Sequence, residues 1–286
     1  MRYERPETIV QATHLLAEAD SNAFVLAGGT DLLVKMQSDG FEADLVVDIK
    51  SIAGMGDVVE ADDTFVIGAG VPCAALGEND ALVAAWPGVV EAANLIGSTQ
   101  IQGRCTVVGN LCNASPAADS VPALVAAGAK AKIAGLGGTR MADVLDIPTG
   151  PGKTSLKKGE IVEAIVLDKP LARSGDAYLR FIPRTEMDIA VVGVGINLVL
   201  DEGGAVQSAR IALGAVGPTV ILAEDAAQAL VGSKLEETAL DVMAAACSAA
   251  SHPIDDKRGT VEFRKQIAGV LARRAARIAF DRAGGN

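Results

Sequence analysis

Aromatic residues are scarce. Only 3% of the 286 residues are Phe, Trp or Tyr, although half of the chain is hydrophobic. The cores must therefore be built from Ala, Val, Leu and Ile, and stacking platforms for single-stranded nucleic acid are missing. Positive charge is also in deficit, with a formal net charge of −11. That balance argues against nucleic-acid and anionic-membrane partners, both of which call for a basic patch. The two histidines, His14 and His252, are too few and too poorly placed for a histidine-based triad. Four cysteines are present, at 73, 105, 112 and 247, without a C-x-x-C pair. That spacing gives no zinc or iron–sulfur ligand set, and they read as small buried apolar residues in a reducing cytoplasm. No apolar run reaches the length of about 18 residues that a membrane span requires. The opening MRYERPETIV lacks the apolar core of a signal peptide, so a cytoplasmic protein is expected.

Glycine is what the chain has in quantity, and two glycine breaks organise it. The first lies in Val25–Leu33, VLAGGTDLL, where a β-type run gives way to Gly28-Gly29-Thr30 and then to residues with helical character. The second lies in Gln102–Gly128. There the β-type run Thr106-Val107-Val108 breaks at Gly109-Asn110, and an Ala-rich helical run begins near Asp119. A strand that ends at glycine leaves backbone N–H groups unpaired and uncrowded, and such groups close around an anion. Two phosphate-sized bends suit a ligand with two phosphates.

Periodicity divides the chain into three units. Residues 1–54 read as a small α/β unit, with a helix starting near Pro6-Glu7-Thr8 and strands at Phe24–Ala27 and Ala43–Ile49. Residues 55–175 read as an α+β unit. Its strands are Asp57–Glu60, Thr64–Ile67, Ala129–Ala134 and Glu160–Leu167, with a helix at Pro87–Ile96 and a short helix or loop at Arg140–Ile147. Residues 176–286 hold three sequential strands, Ala177–Ile182, Ala190–Leu200 and Val206–Leu213, which suggest an antiparallel meander, and then helices. Gly193 and Gly195 in the long middle strand either bend it or let something pack close. Arg264, Lys265, Arg273, Arg274 and Arg277 put a basic, solvated face on the last helix.

Three glycine patterns are decoys. The third glycine of a dinucleotide fingerprint falls at Cys73 after Gly68-x-Gly70, and at Leu198 after Gly193-x-Gly195. Gly152-Lys153-Thr154 imitates the end of a P-loop, but the required first glycine falls at Ile147.

Five blocks taken in order, VLAGGTDLL, STQIQGRCTVVGNLCNASPAAD, RFIPRTEMDIAVVGVGINL, ARIALGAVGPT and FRKQIAGVLARRA, resemble the FAD-binding (medium) subunits of the molybdenum hydroxylases, the family of carbon monoxide and xanthine dehydrogenases. The resemblance covers nearly the whole chain. It implies an α+β fold: a two-lobed FAD-binding domain of the vanillyl-alcohol oxidase type, then a C-terminal domain of a three-stranded antiparallel sheet and a helix bundle. It places the first pyrophosphate loop at Ala27, Gly28, Gly29, Thr30, Asp31 and Leu32, and the second from Thr106 to Gly109 and Asn110. Gly28, Gly29, Gly109 and Asn110 are expected to donate their amides, helped by the hydroxyls of Thr30 and Thr106. Asp119 matches a family aspartate that contacts the ribityl or adenosine part of the flavin. Arg180 stands where many relatives have a flavin-contacting lysine, and keeps the charge with a different hydrogen-bonding fork. Ile96, Val162 and Ile189 match apolar positions near the cofactor. Thr30-Asp31 replaces the His-Ser of the carbon monoxide enzymes, and Val108-Gly109 replaces a glycine pair.

The function implied is an oxidoreductase subunit that relays electrons through FAD to an external acceptor. A small subunit with [2Fe–2S] clusters and a large molybdopterin subunit are the implied partners, in a dimer of heterotrimers, a heterohexamer. No catalytic acid–base pair and no metal site is expected in this chain itself. Two alternatives stand beside it: a free-standing FAD-dependent oxidase or reductase of the same fold, and a scaffold subunit that has lost FAD.

Overall fold

The computed structural model describes residues 1–20 and 22–285. The first three strands are β1 (Arg2–Glu4), β2 (Ala23–Leu26) and β3 (Leu45–Asp48), and they form a parallel sheet in the order β1-β3-β2. Parallel strands need crossovers, and helices α1 (Ile9–Glu18) and α2 (Leu32–Met36) supply them. Thr8 starts α1 by accepting the Gln11 N–H on its hydroxyl at 3.2 Å. The central strand β3 is buried along its whole length, as its unbroken Leu-Val-Val run requires.

The second sheet is antiparallel, with the order β4-β5-β10-β6-β7. Its strands are β4 (Val58–Glu60), β5 (Thr64–Gly68), β6 (Lys130–Gly135), β7 (Gly138–Asp143) and β10 (Ile161–Asp168). Between β5 and β6 run six short helices: α3 (Cys73–Gly77), α4 (Asp80–Ala85), α5 (Pro87–Ala93), α6 (Thr99–Gln102), α7 (Val107–Cys112) and α8 (Ser120–Ala126). A two-strand ribbon, β8 (Pro148–Gly150) with β9 (Lys153–Thr154), precedes β10.

The structure departs from two local expectations. Thr106-Val107-Val108 is no strand: Thr106 caps α7, and the two valines form its first turn. The segment from Arg140 to Ile147 is not mainly helix or loop. Arg140 pairs with Ile133 inside a tight β6–β7 hairpin, and only Val144–Asp146 forms a 3-10 turn.

The third sheet, β11 (Ser174–Phe181), β12 (Val192–Leu200), β13 (Val206–Gly214) and β14 (Ile221–Leu222), is antiparallel in sequence order. The expected three-strand meander is therefore present and is extended by a two-residue fourth strand. Helix α11 (Val261–Arg282) packs on β11 and β12; α10 (Glu237–Ala250) packs on α11, and α9 (Glu224–Gln228) on α10 and β13.

One apolar core joins the first two sheets, running from Leu45 and Val47 through Phe65, Ile67 and Ile133 to Ile165. A second core lies between the third sheet and the helices, from Val192 and Ile196 to Ala272 and Phe280. Each fully buried Val, Leu, Ile or Phe contributes about 1.5–3 kcal/mol.

The cores meet at α5 and α8. Gly195 leaves room for α8: a Cβ there would lie 2.5 Å from the Pro122 carbonyl oxygen. This is the close approach that a glycine in a strand interior permits. Asp176 on β11 accepts the Val89 N–H of α5 at 3.0 Å. Burial pushes its carboxyl up to about 6, against the pull of the Gly88 and Val89 N–H groups. The basic face expected on the last helix is only partly a solvated surface, with Arg274 and Arg277 exposed. Arg264 is buried against the Val191 carbonyl and Asp256, and Arg273 and Arg277 pair with Glu237 on α10.

Candidate functional site

The first bend leaves β2 at Ala27 and enters α2 at Leu32. Gly29 has φ +78°, a conformation that favours glycine. Gly28 is required for a different reason: a Cβ there would sit 1.9 Å from the Arg104 carbonyl oxygen. The bend therefore lies directly on the backbone that leads into the second bend. Lys50, held by Asp48 at 2.7 Å, donates to the Ala27 carbonyl at 3.1 Å. Among the described residues, no acceptor takes the N–H of Gly28, Gly29, Thr30 or Asp31. Leu33 donates to the Gly29 carbonyl at 2.9 Å, so Thr30 and Asp31 already stand in the first helical turn, where free amides are the rule; with Gly28 and Gly29 they leave four consecutive amides open to a ligand or solvent.

The second bend is built by capping. The Thr106 hydroxyl accepts the Gly109 N–H at 2.9 Å, and the Thr106 carbonyl accepts the Asn110 N–H at 2.9 Å. The amides of Gly109 and Asn110, expected to face an anion, are engaged inside the helix, while the Thr106 hydroxyl accepts from Gly109 and keeps its own proton to donate. The amides left over are those of Val107 and Val108, which have no acceptor among the described residues, as the first turn of a helix dictates. Gly109 keeps a role as open space: within 4 Å a Cβ there would meet only the Thr106 hydroxyl. The Asn110 side chain ties the bend to α8 by accepting the Ser120 hydroxyl at 2.7 Å.

The bends enclose one cleft of about 400 Å³, within the range of small-molecule sites. Ala27, Gly28, Gly29, Thr30, Asp31, Leu32, Ile96, Thr106, Gly109, Asn110 and Val162 all line it. Several lining residues were not anticipated. Asn113 laces the bends together, donating to Asp31 at 3.1 Å and accepting from Lys35. Glu160 lines the wall and is clamped by a two-pronged Arg140 contact at 2.9 and 2.8 Å. Arg140 holds that carboxyl down to about 2, so it stays ionised and is no candidate for proton transfer. Asn113 follows the glycine bend by four residues, a helical spacing that could have flagged it; Glu160 carries no such signal.

Asp119, Arg180 and Ile189 do not line this cleft. Asp119 and Arg180 form a buried ion pair at 2.6 Å, and the Tyr178 hydroxyl donates to Asp119 at 3.0 Å. Burial pushes the Asp119 carboxyl up to about 6, opposed by Arg180 and Tyr178, and burial together with Asp119 raises Tyr178 well above its ordinary value. The Arg180 Nε has no partner although its side chain is only 6% exposed. Ser120 connects this cluster to Asn110 and so to the cleft. Ile189 lies on the loop after β11 and is 52% exposed.

A diphosphate fits what is present: unpaired amides on partly buried backbone, glycine in place of side chains, and Lys35 and Lys50 close by. Among the described residues no group of His, Cys, Asp and Glu could hold a metal ion.

Residues 1–170 match the FAD binding domain in molybdopterin dehydrogenase, and residues 177–279 match the CO dehydrogenase flavoprotein C-terminal domain. The chain is 33% identical to the carbon monoxide dehydrogenase medium chain of Afipia carboxidovorans, covering 98% of this chain and 97% of that one. It is 30% identical to the xanthine dehydrogenase FAD-binding subunit of Escherichia coli, covering 99% and 97%. A solved structure of reconstituted CO dehydrogenase from Oligotropha carboxidovorans superposes with a TM-score of 0.94 at 33% identity, covering 99% of this chain and 98% of that one.

Proposed function

The chain belongs to the FAD-binding medium subunits of the molybdopterin dehydrogenases, and from that premise we propose that it carries FAD in the cleft between the two bends and relays electrons through it to an external acceptor. The observation that supports this placement most directly is the run of four unpartnered amides at Gly28–Asp31, facing the second bend across one cleft. In this reading Ala27 to Leu32 hold the diphosphate through the main chain, with the Thr30 hydroxyl as a further donor. Thr106, Gly109 and Asn110 shape the facing wall, and the free amides on that side are those of Val107 and Val108. Ile96 and Val162 supply apolar wall. Asp119, Arg180 and Ile189 lie outside the cleft, and we place the far end of the cofactor toward them, where Arg180 has an unused donor.

When bound, FAD supplies the one- and two-electron chemistry that the side chains lack. This chain's own part is to bind, orient and exclude water. Its wall carboxyl, Glu160, is locked by Arg140 and serves structure rather than proton transfer. The relatives are named as subunits of dehydrogenases, and we assign the iron–sulfur clusters and the molybdenum cofactor to separate partners: a small [2Fe–2S] subunit and a large molybdopterin subunit, arranged as a dimer of heterotrimers in the cytoplasm. Residues 1–54 and 55–175 act as the two walls of the cleft in this scheme, and 176–286 as the C-terminal domain beside them.

Copurification tests the assignment. The chain expressed with its neighbouring subunits should carry stoichiometric FAD, iron and molybdenum. A colourless chain in an otherwise metal-replete complex would sink the flavin placement. A flavin-loaded chain that oxidises substrates alone would sink the relay.

A further inference from the structure

Two of the four cysteines are neighbours at the cleft, Cys105 lining it and Cys73 fully buried. Cys73 opens α3, and Cys105 stands one residue before the Thr106 cap. The Cys73 N–H donates to the Cys105 carbonyl at 2.8 Å, which keeps the two Cα atoms near the range of about 4.4–6.8 Å in which disulfides form. The two are not equivalent. The neighbouring Cys73 thiol holds the Cys105 thiol below its ordinary value, although burial and Asp31 push the other way. The same contact with Cys105, with burial, pushes Cys73 well up. The remaining cysteines behave differently: burial pushes Cys112 and Cys247 up to about 12, although Cys112 lines the same cleft and is only partly buried.

We propose that Cys73 and Cys105 are a modification site: an oxidisable dithiol on the cleft wall, with Cys105 as the attacking thiol, Cys73 as the resolving one and a hydroperoxide as the oxidant. The Cys105 thiolate attacks a peroxide oxygen; the S–O bond forms, the O–O bond breaks, and the released oxyanion takes up the proton lost by Cys105. The product is a sulfenic acid. The Cys73 sulfur then attacks the Cys105 sulfur; the S–S bond forms, the S–O bond breaks, and hydroxide leaves with the Cys73 proton as water. Two thiols and one hydroperoxide become one disulfide, one alcohol (water when the oxidant is hydrogen peroxide) and one water. The link closes beside the joint of the two bends, because the Arg104 carbonyl next to Cys105 is the group that Gly28 rests on. The inference rests on the thiol geometry and does not depend on the flavin assignment.

The test uses the full chain, reduced and without added flavin, exposed to hydrogen peroxide, quenched with a thiol alkylator and mapped by peptide mass spectrometry. The expected result is a reductant-sensitive Cys73–Cys105 cross-link and the loss of two of the four alkylatable thiols, with Cys112 and Cys247 still reduced. Cys73→Ser should stop the reaction at a dimedone-reactive sulfenic acid on Cys105, absent from the wild type. If that variant does not fold, the wild-type map decides by itself. Over-oxidised Cys105 with Cys73 still alkylatable would overturn the proposal, as would both thiols staying reduced while Cys112 is oxidised.

Discussion

The two glycine bends face the same cleft and are built in opposite ways. At the first, glycine is demanded by the protein: Gly28 lies against the Arg104 carbonyl and Gly29 adopts a positive φ, and the amides are left without partners. At the second, the hydroxyl and carbonyl of Thr106 take the amides of Gly109 and Asn110, and a Cβ on Gly109 would meet only the Thr106 hydroxyl, at 3.0 Å, beside the open cleft. Glycine thus marks a contact in one place and a cavity in the other, and the difference decides what a substitution does.

Gly28→Ala should have the largest effect. Its new methyl cannot coexist with the Arg104 carbonyl, so the bends must part. We expect a stability loss of about 1–3 kcal/mol together with loss of bound FAD, read by urea unfolding and flavin absorbance. Wild-type stability in this variant would mean that the contact is softer than it looks. Gly109→Val should separate the two properties, with FAD lost because the cleft is filled and unfolding free energy within about 1 kcal/mol of wild type. Retention of stoichiometric FAD would remove Gly109 from the cleft wall.

A control away from both bends is Asp176. Its folded value, pushed up to about 6 by burial, lies above its ordinary 3.8. The folded chain therefore holds that proton more tightly than the unfolded one, and stability rises as pH falls from 7 through 6 toward 4. Asp176→Asn should flatten that rise by about 1–3 kcal/mol, equally with and without flavin. A change in the slope when FAD is added would tie the domain joint to the cleft. The smallest effect is expected from Thr106→Ala, which removes the cap at a cost of about 1 kcal/mol and frees the Gly109 N–H. A measurably tighter flavin complex would show that the cap competes with the ligand.

The pattern of what the sequence disclosed follows the same divide. The first bend was legible because paired glycines between a strand and a helix have few other uses. The second lies on the same cleft and was misread locally: Thr-Val-Val is β-branched and reads as a strand, whereas the side-chain oxygen of Thr106, three residues before Gly109, is a helix-capping signal of equal strength. The long strands β10, β12 and β13 were visible from their runs of Val, Ile and Leu. The hairpin strand β7 was not, because its exposed Gly-Thr-Arg-Met-Ala-Asp pattern carries no apolar stripe. The arginines of α11 read as a basic face, and only the fold reveals Glu237, Asp241 and Asp256 as their partners. Asn113 and Glu160 entered the cleft without notice, since their roles arise from residues distant in sequence.

The most direct measurement is of the backbone amides themselves, followed by nuclear magnetic resonance as FAD is titrated into the flavin-free chain. Large shifts at Gly28, Gly29, Thr30 and Asp31, with smaller ones at the engaged amides of Gly109 and Asn110, are the predicted result. Large shifts at Gly109 and Asn110 with none along Gly28–Asp31 would contradict it.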